Sequence, residues 1–285
     1  MKALNPGVVY GSISGYGEDG PWADLPGQDL LAQARSGLMW LTGSAGDPPM
    51  PMGLAAADMM AGNALVQGIL AALVRKARTG QGGLVQTSLL EALLDFQFEV
   101  LTTHLNDGGR LPERSAVNGA HAYLGAPYGV YQTADGWLAL AMTPSLERLA
   151  TLMGVPGLDR WFNDPRQAMQ DRDAIKAAIA GGVRTKVTAH WLAVLQPADI
   201  WCAEVLEWPE LMASDAFRGL QMVQHISGNG VSLDTLRGAL RIDGAPLTNP
   251  RAAPALGQDR KAIISEFGLG QDPARHEGKR RATGS

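Results

Sequence analysis

A single carboxylate, Asp58, lies in an otherwise apolar stretch at the start of a long predicted helix. The stretch reads Gly53-Leu-Ala-Ala-Ala-Asp58-Met-Met-Ala-Gly62. Cations in the last predicted turn, followed by Gly80, are typical of a helix C-terminus. Such a helix needs a covering element for its apolar face, which restricts the possible folds. Its apolar positions recur at helical spacing: Met60, Leu65, Ile69, Leu70 and Leu73.

Asp58 itself has two interpretations. Aspartate is unfavourable inside helices and is rarely buried, so its place among alanines and methionines needs a reason. As an N-cap, its side chain would accept hydrogen bonds from free backbone N–H groups. As a nucleophile, it would use the same carboxylate for chemistry. Both interpretations stay open from this segment alone.

Bulk composition restricts the function classes. The 285 residues carry a net charge of −4, which argues against nucleic acid or an anionic membrane as the main partner. The one cysteine, Cys202, excludes an internal disulfide and fits a cytoplasmic location. The five histidines form no ligand cluster, so we expect no metal site. We find no signal-peptide core at the N-terminus and no apolar run approaching a membrane span.

The first part of the chain predicts an α/β domain. A β-branched run over 8–14 predicts a buried strand, and helical spacing follows over 30–40. After the helix that follows Asp58, a short strand over 82–86 and a helix over 89–104 are predicted, the latter opened by Ser88 and Glu91 as a capping box. We assign residues 1–121 to a Rossmann-like large domain.

The pattern of apolar and turn residues changes after a polar, Gly-rich linker. Asp135-Gly136 between two strand-like runs predicts a hairpin, and helices are expected near 145–153, 172–180 and 188–195. We therefore predict a smaller α+β domain over 122–205. Residues 206–269 are expected to return to the large domain, and 270–285 to form a disordered tail.

Taken together, the motifs resemble the class III coenzyme A transferases, the family that includes formyl-CoA and carnitine CoA-transferases. Each motif is weak alone, but their order and spacing over roughly residues 4–268 are specific. The matching segments include Ser12-Ile-Ser-Gly-Tyr-Gly17, Pro26-Gly-Gln-Asp29-Leu-Leu-Ala-Gln33, Ala57-Asp58, Arg78-Thr-Gly80-Gln-Gly82 and Ala126-Pro-Tyr-Gly129.

The resemblance implies an acyl-CoA:carboxylate CoA-transferase in which Asp58 is the covalent nucleophile. It also implies that Gln28 and Asp29 lie near the reacting thioester and bind substrate, although Asp29 could instead cap the helix over 30–40. The coenzyme A thioester is a substrate, so no permanently bound cofactor is expected. Small residues around Asp58 would let a bulky thioester approach: Ala55, Ala56, Ala57, Ala61 and Gly62.

Two other functions remain as alternatives. The first is an alpha-methylacyl-CoA racemase, because these enzymes share the fold. In them a histidine stands directly before the acidic residue that corresponds to Asp29. Here Gln28 holds that place, and its amide cannot abstract a proton.

The second alternative follows from the start of the sequence. Family members begin with a segment that supplies most CoA contacts, which this sequence lacks, so we expect an N-terminally truncated Rossmann-like domain. The chain could then be a CoA-transferase that is incomplete without that CoA-binding segment, or a non-catalytic remnant or interaction module. The family also implies a homodimer, which would cover the apolar helices at 59–78 and 89–104.

Overall fold

The computed structural model describes residues 2–143 and 145–269. The contacts within the chain divide it into two compact units, Met1–Val205 and Leu206–Ser285. The mixture of helices and strands confirms the predicted α/β class. The further division at residue 121 stays a prediction, as do the Rossmann-like character of the first part and the return of 206–269 to it. The predicted tail over 270–285 lies outside the described residues.

The first unit opens with two parallel strands and four helices. The strands pair in register from Val9 opposite Gly83 to Ser14 opposite Ser88. The predicted helix over 89–104 is broken at Gln97, which ends one helix and begins the next. In chain order the elements are β1 Val9–Ser14, α1 Asp29–Arg35, a 3-10 turn Leu38–Trp40, α2 Ala56–Thr79, β2 Gly83–Ser88, α3 Leu89–Phe96 and α4 Phe98–Asn106.

The second half of this unit contains the predicted hairpin and helices. Its three strands form an antiparallel sheet in the order β3-β4-β5. The elements are β3 Gly129–Gln132, β4 Trp137–Leu140, α5 Leu146–Met153, a 3-10 turn Asp159–Trp161, α6 Pro165–Gln170, α7 Arg172–Val183, α8 Thr188–Leu195, a 3-10 turn Gln196–Ala198 and β5 Cys202–Glu204.

Two separate hydrophobic cores stabilise the first unit. The core between α1, α2 and α3 is rich in alanine: Ala32, Leu38, Ala56, Ala57, Ala61, Leu89, Ala92 and Leu93. The core of the 126–202 region contains larger side chains: Tyr131, Leu138, Leu140, Leu149, Ala150, Met153, Val155, Leu158, Trp161, Ile175, Ile179, Val183, Trp191, Leu195 and Ile200. Large buried side chains remove more apolar area from water, so the second core is the stronger one.

The helix α2 packs closely on the two parallel strands. A Cβ atom added to Gly68 would lie 2.4 Å from Val85 Cγ1, so glycine allows the helix to approach β2. Leu65 and Ile69 similarly lie over Gly11 of β1. The predicted apolar positions Leu70 and Leu73 are exposed instead. The helix therefore buries one face against the sheet and leaves a second apolar face open.

Helix α2 has 24 residues and, by length and composition, is apolar enough to cross a membrane. The expectation that no apolar run approaches that length was therefore wrong. Length and composition alone are weak evidence of insertion, since core helices of soluble proteins can meet both criteria.

The second unit consists of short elements. Its longest strands, β6 and β7, pair as an antiparallel hairpin from Val223 opposite Leu236 to Gly228 opposite Val231. The elements are α9 Trp208–Ala213, α10 Asp215–Leu220, β6 Val223–Gly228, β7 Val231–Leu236, β8 Arg241–Ile242, β9 Ala245–Pro246 and α11 Arg260–Phe267.

Candidate active site at the start of helix α2

Asp58 lies in the first turn of α2, at its third residue. The N-cap position is occupied by Ala55, whose side chain makes no cap hydrogen bond, so the N-cap interpretation of Asp58 was wrong. The Asp58 side chain is exposed. Within residues 2–143 and 145–269 its carboxylate makes no hydrogen bond or salt bridge. It is therefore accessible to a reactant, and a negative charge in this turn is stabilised by the helix dipole.

Asp29 supplies the cap that α2 lacks. Its Oδ1 accepts a hydrogen bond of 2.7 Å from the backbone N–H of Ala57, the residue before Asp58. Asp29 is the first residue of α1 and makes no cap bond to that helix; the preceding residue, Gln28, holds the N-cap position without a side-chain bond. Asp29 thus caps α2 and not its own helix, α1. The expectation that Asp29 could cap the helix over 30–40 was therefore wrong.

Gln33 is a site residue that the sequence interpretation missed. Its side chain is only 1% exposed. Its Nε2 donates to Asp29 Oδ2 at 2.7 Å and to the Leu54 carbonyl at 3.2 Å, and its Oε1 accepts from the Met52 N–H at 2.9 Å. An amide four residues after Asp29, on the buried face of a short helix, was the signal that could have identified it.

Two glycines bring the Gln28–Asp29 segment to the end of β1. The backbones of Gly15 and Gly27 meet so closely that a Cβ on Gly15 would lie 2.6 Å from the Cα of Gly27. Because β1 and β2 are parallel and α2 connects them, the first turn of α2 also lies at the carboxyl ends of the strands. In open parallel sheets this is the edge at which ligands bind.

The small residues expected to admit a thioester divide into two groups. Ala56, Ala57 and Ala61 are buried in the alanine-rich core, where their size allows α1 and α3 to pack against α2. Ala55 is exposed and Gly62 is half-buried, with no atom within 4 Å of a Cβ added there. Only the second group leaves space at the surface near Asp58.

Other candidate features have structural roles. Tyr131 is fully buried and donates its hydroxyl to the Pro127 carbonyl at 2.6 Å, and burial raises the pKa of this phenol. Arg75, in the cationic end of α2, donates to the Gly82 carbonyl at 2.6 Å. A cavity of about 780 Å³ lies at the C-terminal end of α1, lined in part by Ser36, Trp40 and Gln97; neither Asp58 nor Asp29 lines it.

Comparison with known proteins identifies the family. The model of CoA-transferase family III matches residues 1–260. The chain belongs to CoA-transferase family III. Membership was predicted from the motifs and is confirmed.

The similarity to family relatives covers most of this chain. A succinate–glutarate CoA-transferase from Agrobacterium fabrum is 31% identical over 280 residues, covering 94% of this chain and 67% of the relative. An acyl-CoA transferase from Fusarium pseudograminearum is 28% identical and is covered over 60% of its length. A solved CAIB/BAIF family protein from Brucella suis has a TM-score of 0.74 at 25% identity, over 93% of this chain and 69% of that one. The chain thus spans about 60 to 70% of the length of these proteins.

Proposed function

We propose that this protein is an acyl-CoA:carboxylate CoA-transferase that works through an aspartyl-CoA thioester on Asp58. The observation that carries the proposal is the accessible Asp58 carboxylate, which makes no hydrogen bond to any described residue. It lies in the first turn of α2, at the edge of a parallel sheet where ligands typically bind. Membership of the CoA-transferase family supports this chemistry.

The only reacting group that the protein supplies is the Asp58 carboxylate; the second nucleophile is the CoA thiolate that the first step releases. An Asp58 oxygen attacks the thioester carbonyl carbon, the carbon–sulfur bond breaks, and a mixed anhydride and CoA thiolate form. The thiolate attacks the Asp58 carbonyl of the anhydride, releasing the donor acid and leaving aspartyl-CoA. An acceptor carboxylate attacks this thioester, and the released thiolate then attacks the acceptor carbonyl, which restores Asp58 and forms the new acyl-CoA. The anhydride keeps the activation of the thioester, which divides one difficult step into easier ones.

We assign a small carboxylate as acceptor. Relatives are named for transfer between succinate and glutarate and from acetyl-CoA to oxalate. On this proposal coenzyme A enters as substrate, no cofactor stays bound, and Gln28 lies beside the entering thioester because it is exposed at the N-terminus of α1. The partner of the open α2 face is a second copy of the chain, as a homodimer.

An exchange assay with succinyl-CoA and glutarate tests the function. We expect glutaryl-CoA from the wild-type protein and none above background from Asp58→Asn or Asp58→Ala. Both variants should fold, because Asp58 makes no hydrogen bond to any described residue that either variant would lose. Asp95→Asn, a substitution of another exposed aspartate on α3, is the matched control and should keep activity.

Three outcomes would contradict the proposal. Full exchange by Asp58→Asn would exclude the covalent route, since an amide cannot form the anhydride. Absence of both exchange and CoA binding in the wild-type protein would favour the alternative of a non-catalytic interaction module. Exchange of the α-proton of a 2-methylacyl-CoA without CoA transfer would favour the racemase alternative.

A further inference from the structure

We propose that Gln33 is a positioning residue that acts through Asp29 to fix the first turn of α2 and thereby orient Asp58. This inference rests on the proposed function of Asp58. It assigns a role to Gln33, and it makes Asp29 part of the support of the nucleophile rather than a group that binds substrate. We call the two side chains the Gln33–Asp29 clamp.

The amide of Gln33 holds two segments that meet at the nucleophile. From Nε2 it donates to Asp29 Oδ2, at the start of α1, and to the Leu54 carbonyl. At Oε1 it accepts the N–H of Met52, in the loop that leads into α2. Donor and acceptor are both used, and the group is buried, so the amide has one favourable orientation. Burial makes these bonds costly to lose, because each partner would be left unsatisfied.

Asp29 carries this constraint into α2. One of its oxygens is engaged by Gln33 and the other by the N–H of Ala57. The N-cap of α2 is an alanine, which provides no side-chain acceptor of its own. The first turn therefore depends on a cap delivered from another helix, and Asp58 is the next residue after the capped N–H. A carboxylate on an anchored turn reaches the thioester in a narrower range of geometries, which favours reaction.

The amide and the carboxylate of the clamp can be exchanged by a double substitution, Gln33→Glu with Asp29→Asn, that leaves the total charge unchanged. Gln33→Glu alone places two carboxylates together and removes both Nε2 donors, so we expect kcat for CoA exchange to fall about 100-fold. Asp29→Asn alone sets an amide nitrogen against Gln33 Nε2 and should also lower kcat. In the double variant the new amide donates to the new carboxylate, and acceptors for Ala57 N–H and Met52 N–H remain, while the Leu54 carbonyl loses its donor. We expect the double variant to recover part of the lost kcat.

The kinetic measurement uses succinyl-CoA and glutarate with the full chain. We expect KM for succinyl-CoA to change little in all clamp variants, because the clamp acts on Asp58 and not on substrate binding. Gln97→Ala is the matched control. Gln97 is a second buried glutamine, donating to the Ser36 and Leu93 carbonyls, and makes no bond to the start of α2. Its loss should lower stability without lowering kcat.

A measurement independent of activity separates this inference from the proposed function. Amide hydrogen exchange by NMR should show a protected Ala57 N–H in the wild-type protein. Protection should fall at least about tenfold in Asp29→Ala and in Gln33→Glu, and should return in the double variant, while the middle of α2 stays protected. If Ala57 exchanged at the wild-type rate in both single variants, or if the double variant were no better than either one, the clamp would be refuted. If the wild-type protein catalysed no CoA exchange, the proposed function would fail, and the exchange of Ala57 would still decide the clamp.

Discussion

The two cores of the first unit stabilise their helices in different ways. The 126–202 core buries tryptophan, tyrosine, leucine and isoleucine between a sheet and helices. The core around α2 buries mainly alanines, and the large side chains of that helix point elsewhere. Since stabilisation follows the apolar area removed from water, the region that carries Asp58 has less of it. Close packing and the hydrogen bonds of buried glutamines therefore contribute a larger share of the stability of this region.

Within residues 2–143 and 145–269, one apolar face of α2 stays uncovered. Exposed apolar side chains recur along one stripe of the helix: Met59, Val66, Leu70, Leu73 and Val74. A continuous apolar stripe of this kind marks an interaction surface. The comparison therefore indicates that the 126–202 core is covered within the described chain, whereas α2 has an exposed apolar stripe. The proposed homodimer would cover that stripe.

The largest effect is expected from truncation in the 126–202 core. Ile179 is fully buried, so Ile179→Ala should lower the free energy of unfolding by about 2 to 5 kcal/mol. Leu70→Ala, on the open face of α2, should lower it by about 0.5 kcal/mol or less in dilute protein. Denaturant titration of both variants measures the difference. Equal losses at low concentration would break the contrast between the two regions.

Overpacking should have an intermediate effect in the alanine-rich core. Ala61 is completely buried between α2 and its neighbours, so Ala61→Leu should destabilise the protein by about 1 to 3 kcal/mol. The matched control is Ala71→Leu on the exposed side of the same helix, which should be close to neutral. A neutral Ala61→Leu in denaturant titration would show that this core has unfilled space.

A buried lysine provides a pH test of the 126–202 region. Lys176 donates to Ser115 Oγ at 2.7 Å, and burial, with the charge of Arg172, lowers the pKa of its amine from 10.5 to about 8. The unfolded chain then binds more protons between these two values, so stability should rise with pH over that window. The expected slope is about 1.4 kcal/mol per pH unit at most. Denaturant titrations of wild type and Lys176→Met should diverge from pH 8 to 10.5; parallel curves would contradict the shifted pKa.

The smallest effect on folding should come from charge on the open face. Val66→Glu and Leu70→Lys change exposed side chains, so the monomer should keep its stability within about 0.5 kcal/mol. Light scattering should nevertheless show a dimer for the wild-type protein and a monomer for each variant, because a charge is costly in an apolar interface. A wild-type monomer at micromolar concentration would refute the dimer proposal.

Regular elements were predictable where local pattern determines them. The strand over 8–14, the Asp135-Gly136 hairpin and the long helix after Asp58 followed from periodicity and turn residues, although the strand is partly exposed and not buried as predicted. The helix over 89–104 was predicted as continuous because its apolar spacing persists through the break at Gln97. That break depends on tertiary contacts, since Gln97 donates to the carbonyl of Ser36, which is distant in sequence.

The sequence motifs point to candidate site residues but not to the connections between them. Asp58 and Asp29 are predicted from their places in the motifs, and their roles stay predictions. A capping bond was considered for each aspartate within its own helix, because sequence patterns describe local caps. The structure instead joins Asp29 to Ala57, 28 positions along the chain. Gln33 was missed because two of its three partners, Leu54 and Met52, become its neighbours only on folding.

The most direct test of the central claim follows oxygen through Asp58. On the proposed route one oxygen of the acceptor carboxylate becomes part of the anhydride and remains on Asp58 when acyl-CoA leaves. After turnover of succinyl-CoA with oxygen-18-labelled glutarate, the tryptic peptide 36–75 should gain label. Its only carboxylate side chains are Asp47 and Asp58, so fragmentation assigns the site. We predict label on Asp58 and none on Asp47; glutaryl-CoA formation with both aspartates unlabelled would contradict the covalent mechanism.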